Sequence, residues 1–118
     1  MVLVDTSIWI NHLRSGVRQF EKLLSDGSVW IHPFIVGELA CGNLKNRSEI
    51  LALLQTLPTV QTVTIEEYLF FIESHGLSGV GIGFVDVHLL AAAKMSGMPL
   101  WTEGKRLRQT ALTLGISY

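Results

Sequence analysis

The chain has 118 residues, 48% of them hydrophobic and 16% charged, with a formal net charge of −1. That length makes one domain, residues 1–118, able to bury roughly two thirds of the surface its unfolded form exposes, and the apolar excess excludes a disordered or low-complexity chain. One cysteine excludes an intramolecular disulfide and a cysteine-built zinc site, and the absence of a basic apolar leader and of any run of roughly 18 apolar residues points to a soluble, cytoplasmic protein with no membrane partner.

The first stretch organises the rest. Val2-Leu3-Val4 runs directly into Asp5-Thr6-Ser7, which is the pattern of a buried strand ending at a polar edge. In open α/β sheets ligands bind at such strand ends, where helix N-termini converge on one crevice. Residues Thr6 to Arg14 carry Ile8, Trp9 and Leu13 at helical spacing, with Thr6 or Ser7 as the cap. A second helix is predicted over Val17 to Ser25 and a short strand over Ser28 to Ile31. Pro33 suits the first turn of the next helix, Phe34 to Cys41. Glu38 lies in that helix with Phe34 four residues before it and Cys41 three after, so it shares a face with apolar residues. Cys41 reads as a small buried hydrophobe.

An amphipathic helix follows over Ser48 to Leu57 and a strand over Val60 to Val63. Thr64 and Glu67 form a capping box that opens a helix running to Gly76, with Glu66, Glu67 and Glu73 as dipole-favouring or solvated charges. The segment Gly76 to Gly83 has four glycines, at 76, 79, 81 and 83. It lacks the dinucleotide-binding spacing and follows a helix, so its glycines serve close approach of the backbone to the sheet edge and to a ligand. Phe84 to Met95 is apolar nearly all round and therefore central, with Asp86 in its first turn. Pro99 to Thr102 is a strand, Glu103 to Arg106 a polar turn into the last helix, and Ile116 to Tyr118 a final edge strand. Alternating strands and helices give an α/β fold with a parallel sheet.

Asp5, Glu38 and Asp86 are each embedded in apolar sequence, where an unpaired charge costs several kcal/mol to bury. Two carboxylates about 5 Å apart repel by roughly 3 kcal/mol at an effective dielectric of 20. Bound protons, Arg and Lys, or a divalent cation offset such repulsion. The cation accounts best for acids at a strand end and near helix starts, and oxygen ligands select Mg²⁺ or Mn²⁺. His12, His32, His75 and His88 have no metal-ligand spacing. A carboxylate-held Mg²⁺ suits phosphodiester hydrolysis. Setting the three acids aside leaves 7 acidic residues against 9 Lys and Arg, which permits a nucleic-acid partner without predicting one. Lys45, Arg47, Lys105, Arg106 and Arg108 are the candidate phosphate contacts.

Leu3 to Ile10, Gly37-Glu38-Leu39, Phe84 to Ala91 and Leu100-Trp101-Thr102 together resemble the PIN-domain ribonucleases, and in particular VapC-type toxins of toxin–antitoxin pairs. The resemblance spans essentially the whole chain. It implies a three-layer α/β/α PIN-like fold and a Mg²⁺- or Mn²⁺-dependent endoribonuclease that is inhibited by a small antitoxin and forms a homodimer. On this likeness Asp5 and Asp86 match the metal-binding aspartates and Glu38 the second acidic position. Thr6 or Ser7 would help hold a metal water or a phosphate, and Thr102, Lys105 and Arg106 complete the substrate-binding candidates. The chain departs from the pattern at the fourth acid: Gly104 occupies that place, with Glu103 one position earlier as the candidate replacement. That departure motivates the alternative of a catalytically weakened PIN-fold domain that binds a partner or RNA without turnover. A phosphotransfer module of the receiver or haloacid-dehalogenase kind is disfavoured, because Val4 and Ser7 occupy the places where those proteins need a second acid.

Overall fold

A computed structural model describes all residues, Met1–Tyr118. Three short parallel strands, β1 (Val2–Val4), β2 (Val29–Trp30) and β3 (Leu100–Trp101), form a sheet in the order β2-β1-β3, with Val2 opposite Val29 and Leu3 opposite Leu100. Seven helices surround it: α1 (Thr6–Ser15), α2 (Arg18–Ser25), α3 (Pro33–Cys41), α4 (Arg47–Thr56), α5 (Ile65–His75), α6 (Phe84–Ser96) and α7 (Lys105–Thr113). This is the expected three-layer α/β/α arrangement.

β1 is central because Val2, Leu3 and Val4 are all buried, the pattern of a parallel strand covered on both faces. α6 carries seven consecutive buried residues, Val87 to Ala93. Its run Ala91-Ala92-Ala93 is small enough to lie close against the sheet. Trp9 and Phe20 meet edge to face at 4.6 Å, joining α1 to α2. Each fully buried side chain of this size stabilises the fold by about 1.5–3 kcal/mol. The α5 start is the predicted capping box: Thr64 Oγ1 accepts from Glu67 N, and the Glu67 carboxylate accepts from Thr64 N. Gly76, left-handed at φ +61°, ends that helix.

Three local expectations are corrected. Val60 to Val63 forms no strand; the only pairing nearby is a parallel bridge between Ile31 and Thr59, sealed by Val60 N donating to Ile31 O. Ile116 to Tyr118 contributes a single bridge from Ser117 to Leu100 rather than a strand. Cys41 is exposed, because it ends α3 on the face turned away from the buried Ile35 and Leu39.

β2 continues through Ile31 into His32, which is fully buried and caps α3 by accepting from Phe34 N through Nδ1 at 2.9 Å. Its Nε2 has no partner. Burial, with a smaller contribution from nearby His88, pushes its pKa down to about 4 from 6.5. Between these values the unfolded chain takes up a proton that the folded chain refuses, so stability falls as pH drops from about 6.5 toward 4, by at most about 3 kcal/mol. Urea unfolding at successive pH values should show this slope. His32→Asn, which keeps an oxygen acceptor for Phe34 N, should flatten it.

Candidate functional site

The carboxyl ends of β1 and β3 meet where Asp5 N donates to Trp101 O at 2.9 Å. Asp5 takes the N-cap position of α1, yet its side chain accepts nothing from the helix N–H groups. The Thr6 or Ser7 cap expected from sequence is therefore absent, and the Asp5 carboxylate turns elsewhere. Its Oδ2 accepts from the hydroxyls of Ser7 and Thr102, both at 2.8 Å. Asp5 is only 9% exposed and Thr102 is buried. Thr102 Oγ1 also accepts from Gly104 N at 2.9 Å, so one hydroxyl ties the β3–α7 turn to the acid.

Glu38 sits one turn along α3 from Phe34 and is exposed. The helical spacing with Phe34 and Cys41 holds, but that shared face is the solvent side, so Glu38 is not buried as its apolar sequence context suggests. Its Oε1 accepts from Thr6 Oγ1 at 2.7 Å, linking α3 to the residue after Asp5. Asp86 is half-buried in the first turn of α6, with Oδ2 toward Gly83 N at 3.4 Å. Burial raises its pKa above the ordinary carboxylate value; the Gly83 N–H opposes this, and the charges of Asp5 and Glu38 raise it further. Asp5 and Glu38 thus both lie within electrostatic reach of Asp86.

Glu103 is exposed, and its Oε1 accepts from Asn11 Nδ2 at 3.1 Å while its backbone N–H donates to Ser7 Oγ at 3.0 Å. Asn11 escaped the sequence reading because nothing local marks a helix-surface amide as the partner of an acid 92 positions later. Gly104 is the N-cap of α7, which carries Lys105, Arg106 and Arg108, all exposed. Arg47 is engaged structurally, donating to Ala40 O at 2.7 Å and Gly42 O at 3.3 Å, so it caps the C-terminus of α3. Lys45 borders a groove of about 640 Å³ that also takes in Ile10, Arg14 and Glu38. His88 is buried and stacks on Tyr68 at 4.5 Å, which makes it a core residue.

The donor set of carboxylates and hydroxyls fits hard divalent cations such as Mg²⁺ and Mn²⁺. No three His, Cys, Asp or Glu side chains are gathered closely enough to form a metal-binding group. Bringing three carboxylates together is opposed by the repulsion already felt at Asp86.

Residues 2–112 match the PIN domain. The chain is 40% identical over 118 residues to Ribonuclease VapC32 of Mycobacterium tuberculosis, from strains CDC 1551 / Oshkosh and H37Rv alike, covering 99% of this chain and 95% of that protein. Its fold is similar to the crystal structure of PAE2754 from Pyrobaculum aerophilum, with a TM-score of 0.65, 18% identity, and coverage of 96% of this chain and 90% of the other.

Thr102→Val keeps the shape of the side chain but strips Asp5 and Gly104 N of a buried hydrogen-bonding partner. It should destabilise the protein by about 1–3 kcal/mol in chemical unfolding.

Proposed function

This chain belongs to the PIN-domain family, and we propose that it is a Mg²⁺- or Mn²⁺-dependent endoribonuclease of the VapC type, the toxin of a type II toxin–antitoxin module. The observation that best supports this reading is the shared field of Asp5, Glu38 and Asp86 at the carboxyl edge of the sheet, where Asp86 is held against its normal ionisation by burial and by the other two acids.

In this reading Asp5 and Asp86 would hold the ion, and Glu38 would ligate it or orient the attacking water. When bound, the ion supplies positive charge that offsets the carboxylate repulsion and the charge developing on the phosphate. The chain's own contribution is placement. Ser7 and Thr102 fix Asp5 Oδ2, and Thr6 fixes Glu38 Oε1, leaving Oε2 to face water and take up its proton. In-line attack would form a bond from the water oxygen to phosphorus and break the bond to the 3′ oxygen, which takes a proton from solvent, so that a 5′-phosphate and a 3′-hydroxyl remain. The N-terminus of α6 offers partial positive charge to phosphate oxygens. Selection of RNA over DNA is carried by the relatedness to a ribonuclease, since this route leaves the 2′-hydroxyl unused.

The partners that go with this reading are an RNA substrate, a small antitoxin and a second copy of the chain. No helix is long and apolar enough to cross a membrane. Exposed apolar side chains at Ile65, Leu69, Phe70, Phe84 and Met95 leave surface for a protein partner. A second reading, a PIN domain that binds without turnover, draws on Gly104 at the fourth acidic position and on the engagement of Glu103 with Asn11.

Asp86→Asn separates the two. Its raised pKa means that the folded state favours the protonated acid, so Asp86 stabilises the fold at low pH and this contribution is lost as pH rises through its folded pKa. At neutral pH in EDTA the asparagine variant should therefore unfold at equal or higher denaturant than wild type. Its Mn²⁺-dependent RNA cleavage should drop at least about a hundredfold. Added Mn²⁺ should raise the melting temperature of wild type and not of the variant. Wild-type protein that binds RNA but cuts none with either metal would establish the binding-only reading.

A further inference from the structure

The glycine-rich segment before α6 carries no nucleotide motif, but one of its members has a specific use. Gly81 has φ +85°, and a β-carbon placed on it would overlap the guanidinium of Arg106, lying 2.9 Å from Cδ and 3.0 Å from Cζ. At every other glycine an added β-carbon would come no closer than 3.3 Å to any atom. The Arg106 side chain therefore occupies the space that a β-carbon at Gly81 would need.

This contact joins two walls of the carboxylate crevice. Arg106 is in the first turn of α7, two residues past Gly104, whose N–H donates to the Thr102 hydroxyl that holds Asp5. Gly81 is two residues before Gly83, the N-cap of α6, whose N–H faces the Asp86 carboxylate. The backbone oxygen of Arg106 accepts from Thr110 Oγ1 at 3.0 Å, while its guanidinium has no hydrogen-bond acceptor within the protein. A planar cation resting against Gly81 beside these carboxylate-bearing elements, with its five donors free, matches the geometry of a phosphate.

We propose that Arg106 binds a backbone phosphate of the RNA strand beside the scissile one, and that Gly81 is a positioning residue whose missing side chain seats the guanidinium there. The proposal rests on the nuclease reading and adds a subsite to it. Arg106 grips the strand outside the reacting bond, so it acts on binding and leaves the chemical step alone.

Cleavage of a mixed-sequence single-stranded RNA pool with Mn²⁺, measured over a range of NaCl, tests this together with fluorescence anisotropy of the same RNA on the Asp86→Asn protein. Arg106→Ala should raise the apparent KM and the Kd roughly tenfold with kcat nearly unchanged. It should also make the slope of log Kd against log[NaCl] shallower by about 0.7, the share of one phosphate contact on a single strand. Arg106→Lys, which keeps the charge, should restore the slope and part of the affinity. Gly81→Ala should mimic Arg106→Ala and add nothing to it in the double variant. If wild type cuts and binds RNA but Arg106→Ala leaves Kd and slope unchanged, the subsite is wrong and the nuclease reading stands. If Gly81→Ala weakens binding equally with and without Arg106, the seating role is wrong. If wild type neither binds nor cuts the pool, the nuclease reading falls and the subsite with it. Should Gly81→Ala fail to fold, the alanine and lysine variants at Arg106 decide the matter.

Discussion

The hydroxyl of Thr102 donating to Asp5 Oδ2 is the bond on which the crevice depends. It joins residues 97 positions apart, across the carboxyl ends of two paired parallel strands. By also accepting from Gly104 N it sets where α7 begins. A buried carboxylate needs donors, and here they are neutral hydroxyls rather than cations. These donors satisfy the carboxylate oxygen without placing a compensating positive charge beside it. An arginine in the same place would satisfy Asp5 and cancel the site.

The same economy runs through the neighbouring elements. Thr6 and Ser7 occupy the start of α1, where hydroxyl residues ordinarily cap the helix, yet each donates a hydrogen bond to a carboxylate. Helix stability is forgone at that end so that Asp5 and Glu38 are oriented. Arg47 does the reverse: a basic side chain open to solvent in sequence is consumed by the last carbonyls of α3, which firms the helix that presents Glu38.

Much of this was legible from residues alone, for local reasons. The Thr64–Glu67 box and the glycine after α5 are short-range devices, and they fall where the sequence puts them. The polar edge after Val4 marks the sheet end because a strand buried on both faces has nowhere else to become polar. What escaped depends on partners far along the chain. Val60 to Val63 has the composition of a strand, but a strand exists only where a neighbour offers a ladder, and Ile31 offers one bridge. Helical spacing grouped Phe34, Glu38 and Cys41 correctly, yet α3 is apolar nearly all round, so spacing alone did not tell which side faces water. The engagement of Glu103 by Asn11 and the seat of Arg106 on Gly81 are likewise long-range pairings with no local signature.

The outward placement of Glu38 has a consequence for how a polymer reaches the acids. With one carboxylate on the open flank of a surface helix and another sunk at the strand end, the site of the proposed reaction would be a ledge and not a tunnel. A strand can be laid across it from the side, without threading a terminus, so bonds in the middle of a loop are as accessible as those at an end.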